Sequence, residues 1–182
     1  MRICDTLFLE TSLIYMPKTL PIITYENENV RKVSPPVKDF SDPTIQALID
    51  DLAFTMYEKD GVGLAAPQVD ALHRIIAIVP DPKKFEFCKK SGADALICIN
   101  PVITHHSLMK EAGEEGCLSV PTYFGIVRRW KKITVIYYDR HGEKIELKAT
   151  GLLARVIQHE IDHLNGILFT DRAKKIYQIK PL

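Results

Sequence analysis

The residues best equipped for chemistry stand together as His159-Glu160-Ile161-Asp162-His163, an HExxH pattern. On a helix, positions four apart lie about 40° apart around the axis and about one turn apart along it, so both imidazoles leave one face and can hold a single divalent ion. Glu160 follows the first histidine and falls beside the open position of such an ion, where it can take a proton from water. A helix with two hydrogen-bonded histidines and a surface glutamate would carry the same five letters. The flanking apolar residues Leu152 and Val156 turn the histidine face inward, where an unpartnered pair is costly, and this favours the metal reading. By itself the motif suggests a zinc endopeptidase. A non-catalytic domain stabilised by metal is the reading from another class, and a structural site has no need of Glu160.

A catalytic ion needs a third protein ligand, with the fourth place left to water. The extension HExxHxxGxxH fails, because Gly166 fits but position 169 is Phe. Cys117 is the candidate, in the turn-forming run Glu114-Glu115-Gly116-Cys117-Leu118-Ser119-Val120-Pro121, where its thiol could ionise on metal. A single loop cysteine is more often a small buried apolar residue. Cys98 reads so within a strand pattern, Cys88 lies in a lysine-rich loop, and Cys4 lies near the N-terminus. A third landmark is Gly61-Val62-Gly63-Leu64-Ala65-Ala66-Pro67-Gln68. Its small residues admit a close approach and Gln68 offers an amide donor, although a helix-ending loop would look the same.

These residues need elements to hold them. Ser41 or Asp42 can cap a helix, Pro43 suits its first turn, and Ile45, Leu48, Ile49, Leu52 and Met56 recur at helical spacing, with a stop expected before Asp60-Gly61. Strands are expected over 74–79 and 95–100, with a solvated loop between them. The runs 132–139 and 144–149 flank Arg140-His141-Gly142, and Ile145, Leu147 and Ala149 alternate with Lys144, Glu146 and Lys148, as in a hairpin with one buried face. The second helix is expected over 151–164, ended by Asn165-Gly166. Strands adjacent in sequence, without regular strand–helix alternation, indicate an α+β class: antiparallel sheets packed around a central C-terminal helix carrying HExxH, plus one N-terminal helix.

The chain has 182 residues, 46% of them hydrophobic, with 24 basic and 23 acidic side chains giving a net charge of +1. A core of ordinary size is available without disulfides, and near-neutrality argues against a protein built chiefly to bind nucleic acid. No apolar run is long enough to span a bilayer. Four cysteines without a CxxC pair point to reduced thiols. Segment 1–16 differs in character from the rest of the chain and includes Met16, so an N-terminal extension is expected, with one catalytic domain over 17–182.

Taken together, GVGLAAPQ, EGCLS and QHEIDH, in that order, resemble the three signatures of the peptide deformylases, enzymes that remove the formyl group from the N-terminal methionine of new proteins. The resemblance runs from about Leu20 to Arg172 and includes LPIITY and TGLLARVIQHEIDHLNG. It implies that Cys117, His159 and His163 are metal ligands, Glu160 the general acid/base, and Gln68 with the backbone N–H of Leu118 the oxyanion donors. It also implies Fe2+ as the ion, replaceable by Zn2+, Ni2+ or Co2+, and a methionine pocket near Val62, Gly63, Leu118 and Leu152. The implied partners are N-formylmethionyl nascent chains, met by a monomer in the cytoplasm or an organelle, with no membrane association.

Two departures from the family pattern stand out. Thr122-Tyr123-Phe124-Gly125 separate the second signature from Arg128 and Arg129, where some relatives place a peptide-binding arginine earlier. Only 19 residues follow His163, which disfavours a ribosome contact through Lys174, Lys175 and Lys180. Arg155, one turn before His159, is expected to pair with a carboxylate such as Glu115.

Overall fold

The computed structural model describes residues 15–91 and 94–179. The expected extension over 1–16 therefore lies outside the described residues apart from Tyr15 and Met16. In chain order the main elements are helix α1 (Pro43–Glu58), strands β1 (Gly63–Ala65) and β2 (Ile75–Ile78), helix α2 (Phe85–Ser91), strands β3 (Leu96–His106), β4 (Lys110–Cys117), β5 (Val120–Trp130), β6 (Lys132–Tyr138) and β7 (Lys144–Thr150), helices α3 (Gly151–Leu164) and α4 (Phe169–Arg172), and strand β8 (Ile176–Gln178).

Two antiparallel sheets result, one of five strands in the order β1-β2-β3-β6-β7 and one of three in the order β4-β5-β8. Strand β2 is buried on both faces, which explains its unbroken Ile-Ile-Ala-Ile. Ile75 and Ala77 meet Ile45, Ile49, Leu52 and Met56 of α1, while Ile76 and Ile78 meet Ala154, Ile157 and Ile161 of α3. The small sheet packs through Val120 and Val127 on Leu168 and Phe169. Helix α3 touches both sheets, and the mixture of helices with antiparallel sheets is the α+β class expected, with α2 and α4 as two short helices beyond the two expected. No helix among the described residues is long and apolar enough to cross a membrane.

Local chemistry sets the helix ends. Asp42 accepts the Thr44 amide at 2.8 Å and Pro43 opens α1. Past α3, the amides of Gly166 and Ile167 return to the carbonyls of His163 and Asp162 at 3.1 and 2.9 Å. Gly166 has φ +71°, and a β-carbon there would lie 2.0 Å from the Arg31 carbonyl oxygen.

Some expectations need correction. Strand β3 runs on to His106, past Asn100 where the expected strand over 95–100 ended. The ladder survives because its register shifts there, Asn100 takes φ +53°, and the Asn100 amide binds both the N–H and the C=O of Val37 at 2.9 Å. The lysine-rich loop holds the short helix α2, which buries Cys88 against the α1 cluster. Most of the expected turn around Cys117 is strand, since Glu114–Cys117 pair with β5 and the chain reverses only at Leu118-Ser119.

Gly166→Ala should destabilise the fold by about 2–4 kcal/mol in denaturant unfolding, combining left-handed strain with a backbone clash. Gly151→Ala, with φ +59° but open space around it, should cost only about 1–2 kcal/mol.

Candidate active site

Four segments meet at the end of α3. The first is β4, which delivers Glu115 and Cys117. The register between β4 and β5 shifts between Gly116 and Cys117, and a β-carbon on Gly116 would come within 2.7 Å of the Phe124 ring, so the strand kinks where a small residue permits it. The second is β1 with the turn after it, which delivers Gly63 and Gln68. The third is α3 itself, with His159, Glu160 and His163. The fourth is β5, whose Arg129 reaches in beneath the others.

Val62, Gly63, Gln68, Cys117, Leu118, Leu152, His159 and Glu160 all line one cleft of about 460 Å³. His163 does not line it, but its Nε2 lies 3.2 Å from the Cys117 sulfur. The available donor atoms of Cys117, His159 and His163 all fall within 4.8 Å of one another. This is a metal-capable Cys/His/His group, one soft sulfur with two imidazoles, a donor set suited to a tetrahedral transition-metal ion.

The second ring nitrogen of His159 is accounted for, since Nδ1 is 2.9 Å from Glu115 Oε2, which leaves Nε2 to face the group. Burial works against a proton on His159, but hydrogen bonding to Cys117 and Glu115 raises its pKa well above the ordinary value. At His163 burial acts with the neighbouring positive charges and holds the pKa well below it, which favours the neutral imidazole that a metal ligand must be.

Glu160 is buried. Loss of hydration pushes its carboxyl up to about 7, and Oε2 accepts no hydrogen bond among the described residues. A buried carboxylate oxygen without a partner calls for an ion, a water or a substrate beside it. Gly63 makes room for this side chain, because a β-carbon there would lie 2.5 Å from Glu160 Oε1. The Gln68 amide has its orientation fixed at both ends: its oxygen accepts the Ala65 N–H at 2.8 Å, and Nε2 points at Ser119 Oγ (3.2 Å) and the Cys117 sulfur (3.5 Å).

Beneath the cleft lies a buried ion-pair network. Arg129 Nε and Nη2 each donate to one oxygen of Glu115 at 2.9 Å, a bidentate pair, and Nη1 donates to Asp162. Arg155 Nη1 donates to Glu115 Oε1 at 2.8 Å, as expected, and the same guanidinium also donates to the backbone carbonyls of Glu111 and Val127. Arg172 Nη2 closes the outer end on Asp162 at 2.6 Å. Burial alone would raise the Glu115 pKa, but the bonds from His159 and Arg129 outweigh it and hold the carboxyl far below the usual carboxylate range.

Sequence reasoning missed Arg129, Asp162 and Ser119. Arg129 is only 5% exposed, and each of its three guanidinium nitrogens donates a hydrogen bond inside the protein. Its inward direction is set by its register on β5, where Val127 and Arg129 are buried while Arg128 is exposed.

Arg129→Leu should destabilise the protein by roughly 3–5 kcal/mol in urea unfolding, because it leaves Glu115 and Asp162 as poorly compensated buried charges. Arg128→Leu, one residue away and exposed, should stay within about 0.5 kcal/mol of the parent.

Against known proteins, residues 19–178 match the family model described as Polypeptide deformylase. A peptide deformylase of Helicobacter hepaticus is 44% identical over 154 residues, covering 85% of this chain and 83% of that protein. The crystal structure of peptide deformylase from Thermotoga maritima superposes with a TM-score of 0.76 at 38% identity, covering 87% of this chain and 99% of that one. The class I type b enzyme of Acinetobacter baumannii, solved bound to Met-Ala-Ser, gives 0.76 at 36% identity, covering 86% and 99%. On this agreement of sequence, fold and metal-capable site, the chain belongs to the polypeptide deformylase family.

Proposed function

We propose that this protein hydrolyses the formamide bond at the N-terminus of formyl-methionyl chains, releasing formate and a free amine. The observation that carries the reading is the convergence, in one cleft, of the Cys117/His159/His163 donor group, the partnerless buried oxygen of Glu160 and the fixed amide of Gln68. The family relationship adds the substrate class, and the tripeptide seen on the Acinetobacter baumannii relative is what remains of such a substrate after deformylation.

The donor set suits Fe2+, the ion we assign, and equally Zn2+, Ni2+ or Co2+. Held by Cys117, His159 and His163, such an ion supplies Lewis acidity, lowering the pKa of water and polarising a carbonyl oxygen. Glu160 is the base. It takes a proton from the attacking water, and a carboxyl poised near neutral pH can pass that proton on to the leaving nitrogen. Gln68 Nε2, with its oxygen tied to the Ala65 amide, donates to the negative charge that develops on the formyl oxygen, and the N–H of Leu118 takes the same role.

Selectivity follows from the wall at Gly63. With Glu160 packed where a β-carbon would stand, the space beside the carboxylate accepts an acyl carbon bearing only hydrogen. Val62, Leu118 and Leu152 give the cleft an apolar lining for the methionine side chain. A zinc endopeptidase would instead have to seat two peptide segments across the same carboxylate. On this reading the work is done where formylated chains are made, in the cytoplasm or an organelle, and by a monomer.

The test uses anaerobically prepared, Fe2+-loaded protein with formyl-Met-Ala-Ser and acetyl-Met-Ala-Ser. Formate should appear from the first and no acetate from the second, and internal cleavage of either peptide would return the chain to the endopeptidases. Chelation should abolish turnover until a divalent ion is restored. Glu160→Ala should lower kcat by about 100- to 10,000-fold, and Gln68→Ala by about 100- to 1000-fold.

A further inference from the structure

A second surface stands out by its exposed apolar residues. Between β3 and β4 the chain passes from the large sheet to the small one through Ser107-Leu108-Met109, alongside the β5–β6 crossing at Lys131. Leu108 is 99% exposed and Met109 66% exposed. The backbone that carries them is pinned: Ser107 N donates to Lys132 O at 2.9 Å and Lys131 N to Met109 O at 3.0 Å. The Ser107 hydroxyl adds a bond to Met109 O at 2.8 Å. Behind this corner His106 stacks on Trp130 at 3.9 Å, and Lys110 Nζ lies 5.2 Å from the same indole. Two apolar side chains are thus presented to solvent from a firm base, so little conformational freedom would be lost when something covers them.

The charge around this corner is lopsided. Lys110, Lys131, Lys132 and Lys148 are all exposed around it, against two exposed acids, Glu111 beside Lys110 and Glu146 two residues from Lys148. Lys132 and Lys148 also line a shallow groove with His105 and His106, and no acidic side chain lines it. On a chain whose net charge is only +1, such a concentration is a local feature and cannot be an overall bias. The corner lies away from the deformylase cleft, and none of these residues lines that cleft.

From this pairing of a projecting apolar tip with a basic collar, we infer that the β3–β4 corner is a docking surface for an anionic lipid bilayer, which departs from the sequence-based expectation of no membrane association. A protein partner would need a pocket shaped to the tip, whereas a lipid interface accepts a convex one. Leu108 and Met109 would enter the boundary between headgroups and acyl chains, while the lysines meet the negative surface potential. Neither element suffices alone, and peripheral association typically needs both an apolar insertion and a basic patch. RNA phosphates would use the lysines but would gain nothing from the exposed Leu108 and Met109.

The experiment is cosedimentation of the full-length, metal-loaded protein with vesicles of phosphatidylcholine alone and of phosphatidylcholine mixed with phosphatidylglycerol. Partitioning should be at least about tenfold stronger on the anionic vesicles and should be largely lost at about 0.5 M salt, where the Debye length shrinks to a few ångströms. Leu108→Ser/Met109→Ser and, separately, Lys131→Glu/Lys132→Glu should each weaken it by about tenfold. Formate release from formyl-Met-Ala-Ser by the Leu108/Met109 variant should stay within about twofold of the parent, which separates loss of docking from loss of fold. Equal binding to both vesicle types, binding unchanged in the Leu108/Met109 variant, or retention by a structured RNA but not by anionic vesicles would overturn the inference.

Discussion

Everything near the cleft depends on keeping one carboxylate, that of Glu115, charged inside the protein. Removing a carboxylate from water costs several kcal/mol, and four hydrogen bonds offset it here: two from Arg129, one from Arg155 and one shared with His159. The donors come from two other elements, Arg129 from β5 and Arg155 with His159 from α3, so the carboxylate works as a rivet. It fixes β4 against β5 through Arg129 and fixes both strands against α3 through Arg155 and His159. Asp162 repeats the device on the far side of Arg129 and extends it to Arg172 at the end of α4. The orientation of the His159 ring is therefore set by the same bonds that hold the small sheet to the helix.

That arrangement explains why the two sheets can meet at a cleft without closing on each other. Apolar contacts supply the bulk of the packing, with α1 and α3 covering opposite faces of the β1-β2-β3 region. Between α3 and the small sheet the contact is largely polar and directional, through Arg129, Arg155 and Gln158, and it sets Cys117 against Glu160. Glycines do the complementary work. Gly63 and Gly116 remove side chains at the points where Glu160 and Phe124 press closest to backbone.

Much of this was legible in the sequence, and what was not shares one cause. The helices α1 and α3 announced themselves through caps, periodicity and stop signals, and the 132–150 hairpin through alternation, all of them local effects. The three signatures identified the cleft, since Gly63, Gln68, Cys117, His159 and Glu160 do line it together. Strands β4 and β5 were hidden because β4 is charged or small on both faces, as in Glu111, Ala112, Glu114 and Gly116, and their pairing is decided by partners far along the chain. Arg129 was hidden for the same reason: an arginine's burial depends on carboxylates that arrive from β4 and α3, and no local pattern reports them. Asn100-Pro101 shows the converse, a strong local stop overridden because Asn100 finds both partners it needs on Val37.

The pentapeptide His159–His163 carries three jobs at once. His159, Glu160 and His163 face the cleft or the donor group, while Asp162 turns to Arg129 and Arg172, and Ile161 fills the core beside Ile76 and Ile78. All five positions are thus committed, and only Ile161 is committed merely to size and apolarity. Over evolutionary time this segment should drift at that one position, among residues such as Met, Leu and Val, while exchange of Asp162 would demand simultaneous change at two distant arginines. Outside Ile161, a single substitution in this segment therefore disturbs a partner held elsewhere in the fold, whereas an exposed position on the outer strands has none to disturb.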